Sequence, residues 1–286
     1  MGYQSHSEPK GETPSELIYV IIVVRDEGDI ISESIKQYLK WADKIFVADN
    51  GSTDGTSAIL KQLEQENDCV KYIAEFNCQF YEGLRGIIFN ILVHRLDLPR
   101  PHWWCIGDAD EVYFDDPRDF LRKVPPAYGR VCTNTIEFIQ IQNHNKPLSP
   151  ESYLQYVALE WSESRFLRDT PRLVWTDVLA RWPRRCRAAF PARIRMLHFP
   201  FRSVEQIDRR IAIRADSRKK SGIPWHNSAF TSASQLLREY RCQQRIDIGV
   251  HSETWQFCAK SNNHLVGWKS KLKNSMKRLL YSAKLV

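Results

Sequence analysis

The 286-residue chain contains no run of about eighteen apolar residues, so nothing in it reads as a membrane-spanning helix. It also lacks any Cys-x-x-Cys pair. Its seven cysteines, at 69, 78, 105, 132, 186, 242 and 258, are odd in number and scattered. That speaks against a disulfide frame or a structural zinc site, and for reduced thiols in a cytoplasmic setting. No Gly-x-Gly-x-x-Gly follows the first apolar run, which ends in "RDEGD", so a dinucleotide-binding turn is excluded. The opening "MGYQSHSEPKGETPSE" has no apolar core and is not a signal peptide. His6 stands where a myristoylation signal needs Ser or Thr. Residues 1–16 read as a disordered leader. Acidic residues are absent after Glu253, while seven basic residues occur there. Without those seven, 34 basic residues face 34 acidic ones, so the net charge of +7 belongs to the tail. A neutral body offers no basic face for nucleic acid, and none is expected as a partner.

What is present is an alternation of strands and helices. The run "LIYVIIVV" (17–24) is β-branched and continuous, as a strand buried on both faces would be. Ile30, Ile31, Ile35, Tyr38 and Leu39 follow at helical spacing, with Asp29 placed to cap. "KIFVAD" (44–49) reads as a second strand and "NGSTDG" (50–55) as a turn. A helix over 56–66, a strand over 70–76, a helix over 82–96 and the strand "WWCIGD" complete the series. Such alternation with short loops predicts an α/β fold: a mostly parallel sheet covered by helices. Ligands of such sheets lie beyond the carboxyl ends of the strands. The polar clusters Arg25-Asp26-Glu27, Asp49 to Asp54 and Asp108 to Glu111 fall at those ends and are expected on one rim. Further on, 130–142 reads as a strand, 145–190 as irregular and 204–220 as a helix. Residues 17–120 form one half of the expected domain, and 121–259 the second half.

The segment "CIGDADEVYFDD" (105–116) needs explaining, because an apolar strand runs into five acids within nine positions. On a strand, Asp108 and Asp110 would project to the same side, about 6–7 Å apart. Two carboxylates so placed repel by about 3 kcal/mol at an effective dielectric of about 20. Protonating one, or binding a cation between them, relieves that. Carboxylate oxygens suit Mg²⁺ or Mn²⁺, and Mg²⁺ completes its shell with water and substrate phosphates. The pattern therefore points to a metal carrying a phosphate or diphosphate. The plainer reading is a solvated acidic turn, since Asp-x-Asp alone is a weak pattern.

Taken together, "VIIVVRDEGDIISESIKQYLKWADKIFVADNGSTDGT" and the later "WWCIGDADEVYF" resemble the GT-A glycosyltransferases, specifically family-2-like enzymes. The resemblance covers about 17–120 well. It continues weakly to "LHFPFRS" (197–203), which is similar to a His-plus-Arg-Ser segment of one bacterial branch. That branch usually has Asn where Asp26 stands. The resemblance implies a GT-A fold with a helical C-terminal extension. It also implies a metal-dependent, inverting transfer from a nucleotide-sugar donor, most often a UDP-sugar, to a glycan or lipid-linked acceptor, with 121–259 as the acceptor-side half. Asp49 would meet the base or ribose, with Arg25, Glu27 and Asp54 in the same pocket. Asp108 would touch ribose or metal, and Asp110 would be the main metal ligand, with Glu111 beside it.

Of the later residues, His198 is the candidate to complete the metal shell, against a structural role. Arg202 and Arg85 are candidates for holding phosphate, against plain ion pairs. An inverting transfer needs a base. Glu137, Glu160, Glu163, Asp169 and Asp177 qualify by type, and Glu137 is preferred because its apolar neighbours would raise its pKa. Trp161, Trp175, Trp182 and Trp225 suit either a carbohydrate site or the core. In 260–286, Leu265, Trp268, Leu272, Met276, Leu279 and Leu280 share a helical face with lysines between them. A basic amphipathic tail over 265–286 fits contact with the inner face of a membrane, or a helix docked on the body. The alternatives to a transferase are a GT-A-like nucleotidyltransferase and a non-catalytic GT-A-like binding or scaffold protein.

Overall fold

The computed structural model describes residues 16–78, 83–94, 98–141, 148, 153–158, 162–175, 182–183, 185–221 and 230–242. The predicted leader, apart from Glu16, and the basic tail lie outside the described residues, as do Glu160, Trp161, Asp177 and Trp225.

The strand and helix series of the first half is as expected. It runs β1 (Ile18–Val24), α1 (Ile31–Tyr38), β2 (Lys44–Asp49), α2 (Thr56–Glu66), β3 (Val70–Glu75), α3 (Gly83–His94) and β4 (Trp103–Gly107). β1 lies between β2 and β4, and all three are parallel, as are β2 and β3. Every residue of β1 is buried, because alternate side chains enter two different cores. Ile18, Val20, Ile22 and Val24 pack with α1 and Leu60 of α2, whereas Tyr19, Ile21 and Val23 pack with Leu84, Ile88, Phe89 and Leu92 of α3. An apolar run without alternation is what two covered faces require.

The second half holds more strand than the sequence suggested. β5 (Glu111–Tyr113), α4 (Pro117–Arg122), β6 (Tyr128–Ile141), β7 (Tyr153–Ala158), β8 (Ser164–Arg168), β9 (Ala188–Ala189), β10 (Ile194–Phe201), α5 (Val204–Ser221) and α6 (Ala233–Cys242) follow in order. The stretch 145–190, expected to be irregular, contributes β7, β8 and β9. These strands are short and carry polar residues, so they show neither alternation nor a long apolar run. The sheet runs β3-β2-β1-β4-β8-β6-β10-β5, with β7 and β9 also on β6. β6 is long enough to serve two neighbourhoods, pairing β8 through Arg130–Cys132 and β10 through Thr133–Ile139. Parallel pairing of β10 with β6, and antiparallel pairing with β5, brings His198 opposite both Glu137 and Glu111.

Candidate active site

The carboxyl ends of β1, β2 and β4 form one rim, with β1 between strands that lead away on either side. A crevice at such a switch point is where open α/β sheets bind ligands. Three loops meet there, and hydrogen bonds stitch them together.

Asp26, at the end of β1, has a backbone φ of 54°, a left-handed conformation that Asp tolerates better than most residues. Its Oδ1 accepts from the Thr53 backbone at 2.7 Å and the Thr53 hydroxyl at 3.1 Å, while its own N–H donates to Ser52 Oγ at 2.9 Å. The turn "NGSTDGT" depends on Gly51 (φ 76°) and Gly55 (φ 92°) for its path. Asp49 is completely buried and accepts from the backbone and hydroxyl of Ser52 and from the Ser57 hydroxyl. Asp54 accepts from Gly28 N–H at 3.1 Å and from the Thr56 hydroxyl at 2.5 Å, so it ties the β1 loop to the start of α2. Arg25 lies 3.9 Å from Asp26. Asp29 does not cap α1, which starts without a side-chain cap. It pairs instead with Arg202 at 2.8 Å.

The acidic loop differs from the strand geometry expected of it. β4 ends at Gly107 and β5 begins at Glu111, so Asp108 and Asp110 lie in the turn between two strands and not on one strand. Each is neutralised by its own pair of cations. Asp108 contacts Arg85 through one oxygen and Arg165, at 2.9 Å, through the other. Asp110, 3 % exposed, has Oδ2 2.9 Å from Arg210 Nη1 and Oδ1 3.5 Å from His198 Nε2. The repulsion foreseen between the two acids is thus met by separate partners. Burial opposes ionisation of both, but Arg85 and Arg165 outweigh it at Asp108 and hold its carboxyl below the usual range. His198 and Arg210 do the same at Asp110, more strongly. Glu111, also on Arg165, goes the other way, and burial pushes it up to about 8 against the pull of that guanidinium.

The Tyr38 hydroxyl donates to Asp108 O at 3.0 Å and anchors the turn to α1. Gly107 is needed beneath it, because a Cβ there would stand 2.5 Å from that hydroxyl. His198 Nδ1 lies 3.2 Å from Glu137 Oε2, so Glu137 backs the imidazole and does not face the open rim. Burial would lower the His198 pKa, but Asp110 and Glu137 raise it to about 10. Arg202 is buried, bidentate to Asp29 and bonded to Glu27 and the Phe199 carbonyl, which is the ion-pair role of the two considered. Arg85 is likewise buried on Asp108. Glu163 and Asp169 face Arg165 and Arg100. Trp175 is core, packed on Phe89 and against Gly86.

Two participants, Arg165 and Arg210, were missed in the sequence. Arg165 sits in β8 beside Phe166 and Leu167, and an arginine within such an apolar strand marks a buried partner for acids. Arg210 and Arg214 lie one turn apart on α5, beside the apolar positions Ile207 and Ile211, and that spacing was readable.

These residues suit a divalent cation of one kind. Among the described residues no group of three or more His, Cys, Asp or Glu is arranged to hold a metal ion. Asp110 offers one oxygen, and His198 offers one nitrogen once it gives up its Nε2 proton, with Glu137 behind the imidazole as an outer support. Glu111 Oε2, Glu137 Oε1 and Arg165 Nη1 are buried without a hydrogen-bond partner in the described structure, which marks a site built for more than packing. Such a set fits an ion that keeps water and takes most of its oxygens from phosphate.

Residues 19–77 match the model of glycosyl transferase family 2. That segment, which runs from β1 through β3, is similar to family-2 glycosyltransferases. The whole is the α/β fold expected from the sequence, a mostly parallel sheet flanked by helices. No curated protein matches the chain. Among solved structures it is similar to a mannosyltransferase from Pyrobaculum calidifontis in complex with GDP-Man and Mn²⁺, at 14% identity over 96% of this chain and 87% of that one, with a TM-score of 0.41. It is also similar to HddC from Yersinia pseudotuberculosis, at 12% identity over 52% of this chain and 73% of that one, with a TM-score of 0.29. WbbM, a bifunctional glycosyltransferase, aligns over 49% of this chain and 25% of its own at 16% identity, with a TM-score of 0.26.

Proposed function

We propose that the chain is a GT-A glycosyltransferase that takes its sugar from a nucleoside diphosphate sugar, a UDP-sugar being the first to test, and uses Mn²⁺ or Mg²⁺ held at Asp110 and His198. The acceptor is the hydroxyl of a glycan or lipid-linked sugar. The carrying observation is that Asp110, a buried carboxylate at the β1/β4 switch point, stands between an imidazole and an arginine on the rim where the three loops meet.

Asp26, Ser52 and Thr53 shape the base and ribose end of the crevice by joining the β1 and β2 loops. Asp49 holds that turn from beneath through Ser52 and Ser57. Asp108 is fixed by Arg85 and Arg165, and its partly exposed carboxylate faces the ribose side. Glu137 orients the His198 ring, which makes it a positioning residue in this reading. When bound, the cation stabilises charge on the leaving diphosphate as a Lewis acid, an effect worth several kcal/mol. No helix among the described residues is long and apolar enough to cross a membrane.

The test is turnover of a panel of nucleotide sugars with Mn²⁺, with Mg²⁺ and with EDTA, for wild type and Asp110→Asn. One donor should turn over only with metal. The variant should lose at least about a hundredfold, as several kcal/mol of transition-state stabilisation implies. Turnover insensitive to EDTA, or unchanged in Asp110→Asn, would refute the assignment.

A further inference from the structure

Four arginines pair with Glu27, Asp108, Asp110 or Glu111, and one differs from the rest. Arg85, Arg165 and Arg202 have side chains 4 %, 4 % and 1 % exposed, each locked to carboxylates. The Arg210 side chain is 23 % exposed and reaches in from α5. Its Nη1 lies 2.9 Å from Asp110 Oδ2, 3.0 Å from the Pro200 carbonyl and 3.9 Å from Glu27 Oε1. With His198 Nε2 3.5 Å from Oδ1, both oxygens of Asp110 already face side chains. A divalent ion that takes Oδ2 must displace the Arg210 guanidinium. Arg210 has a route to solvent and a long, jointed stem.

We propose that Arg210 is a resident counter-ion of the metal site. It covers Asp110 when the site holds no donor and transfers to the donor's diphosphate when nucleotide and cation enter. This rests on the metal-dependent reading above and adds to it a coupling between two ligands. A guanidinium released from Asp110 gains two phosphate oxygens in a fork geometry that matches its own. Nucleotide diphosphate thereby removes the competitor of the metal, and metal releases the guanidinium for nucleotide. By linkage, each ligand raises the affinity of the other by the same factor. No covalent step is involved.

The experiment is Mn²⁺ binding to the full chain, followed by the electron paramagnetic resonance signal of the free ion. It is run alone, with UDP and with GDP, and corrected for Mn²⁺–nucleotide complexes. In the wild type, one nucleotide should tighten Mn²⁺ by about tenfold or more, within the usual range of coupling between sites. Arg210→Gln should bind Mn²⁺ alone about tenfold more tightly than wild type and lose most of the coupling. It should also bind the nucleotide more weakly in EDTA. Arg210→Lys, which keeps a cation over Asp110, should hold Mn²⁺ alone as weakly as wild type. A merely structural arginine would weaken both ligands together in the Gln variant. If Arg210→Gln binds Mn²⁺ no better than wild type while Asp110→Asn abolishes binding, the counter-ion role falls and the metal site stands. If Asp110→Asn binds Mn²⁺ as wild type does, the metal site falls and the counter-ion role falls with it.

Discussion

Arg165→Met is the sharpest test of the rim's electrostatics. One Arg165 nitrogen, Nη2, faces Asp108, Glu111 and Glu163, and the residue is buried. Glu111 is 1 % exposed, so removing the cation leaves a carboxyl in low dielectric with no partner of opposite charge. The sign follows from its pKa, raised from 4.5 to about 8 by burial. A carboxyl raised on folding holds its proton more tightly in the native state. Its contribution is therefore full below pH 4.5 and is lost as pH climbs to about 8. In the wild type the loss levels off there, because Arg165 supports the ionised form. In Arg165→Met the pKa rises further, so stability keeps falling above pH 8. At pH 5, where Glu111 is protonated in the native state, the variant should lose about 1–3 kcal/mol, for hydrogen bonds and packing. At pH 9, one unit above the wild-type value, the loss should be larger than at pH 5 by up to about 1.4 kcal/mol, the worth of one pKa unit. Urea midpoints at pH 5, 7 and 9 measure this. Adding Glu111→Gln in the Arg165→Met background should abolish the extra loss at high pH. Equal losses at pH 5 and pH 9 would refute the reasoning.

Two further outcomes are expected. Gly107→Ala forces a Cβ to within 2.5 Å of the Tyr38 hydroxyl and should cost about 1–3 kcal/mol, lowering the melting temperature by several degrees. Tyr38→Phe in the same chain should restore part of that, and a Gly107→Ala protein melting with the wild type would contradict the close approach. Asp26→Asn keeps an Oδ1 that can accept both Thr53 bonds and a residue type at home in the left-handed region, so its stability should stay within about 0.5 kcal/mol of wild type. Asp26→Ala should lose about 1–2 kcal/mol by leaving those donors unmet, and equal denaturant midpoints for the two variants would count against the bridge.

The sequence was legible wherever one physical rule dominated. The run Ile18–Val24 could only be a strand covered on both sides, and the turn residues of 50–55 announced the bend that follows β2. The rim was legible for the same reason, since polar clusters at the ends of apolar runs are the carboxyl ends of strands. Side-chain partnership was not. Whether Asp108 and Asp110 share a cation depends on which side chains reach each of them, and Arg85, Arg165 and Arg210 come from 23, 57 and 100 residues away. Arg202 carried the right chemistry for phosphate but lies under Asp29 and Glu27, a pairing across 173 and 175 residues that no local pattern reveals. Glu137 is preferred from the sequence as a base, but strand register turns it toward His198.

That long-range pairing also sets when in its own synthesis the protein acquires a working site. The segment of β1 to β3 leaves the ribosome before β10 and α5, carrying Glu27 and Asp29 on its first loop. The partner that neutralises them, Arg202, emerges some 175 residues later. Asp110 waits 100 residues for Arg210. A nascent chain at β5 thus displays an acidic rim with no counter-charge from β10 or α5, and such a rim repels anions. A fragment ending before β10, however well its first sheet folds, should behave as an anion-repelling domain and not as a weak version of the whole chain.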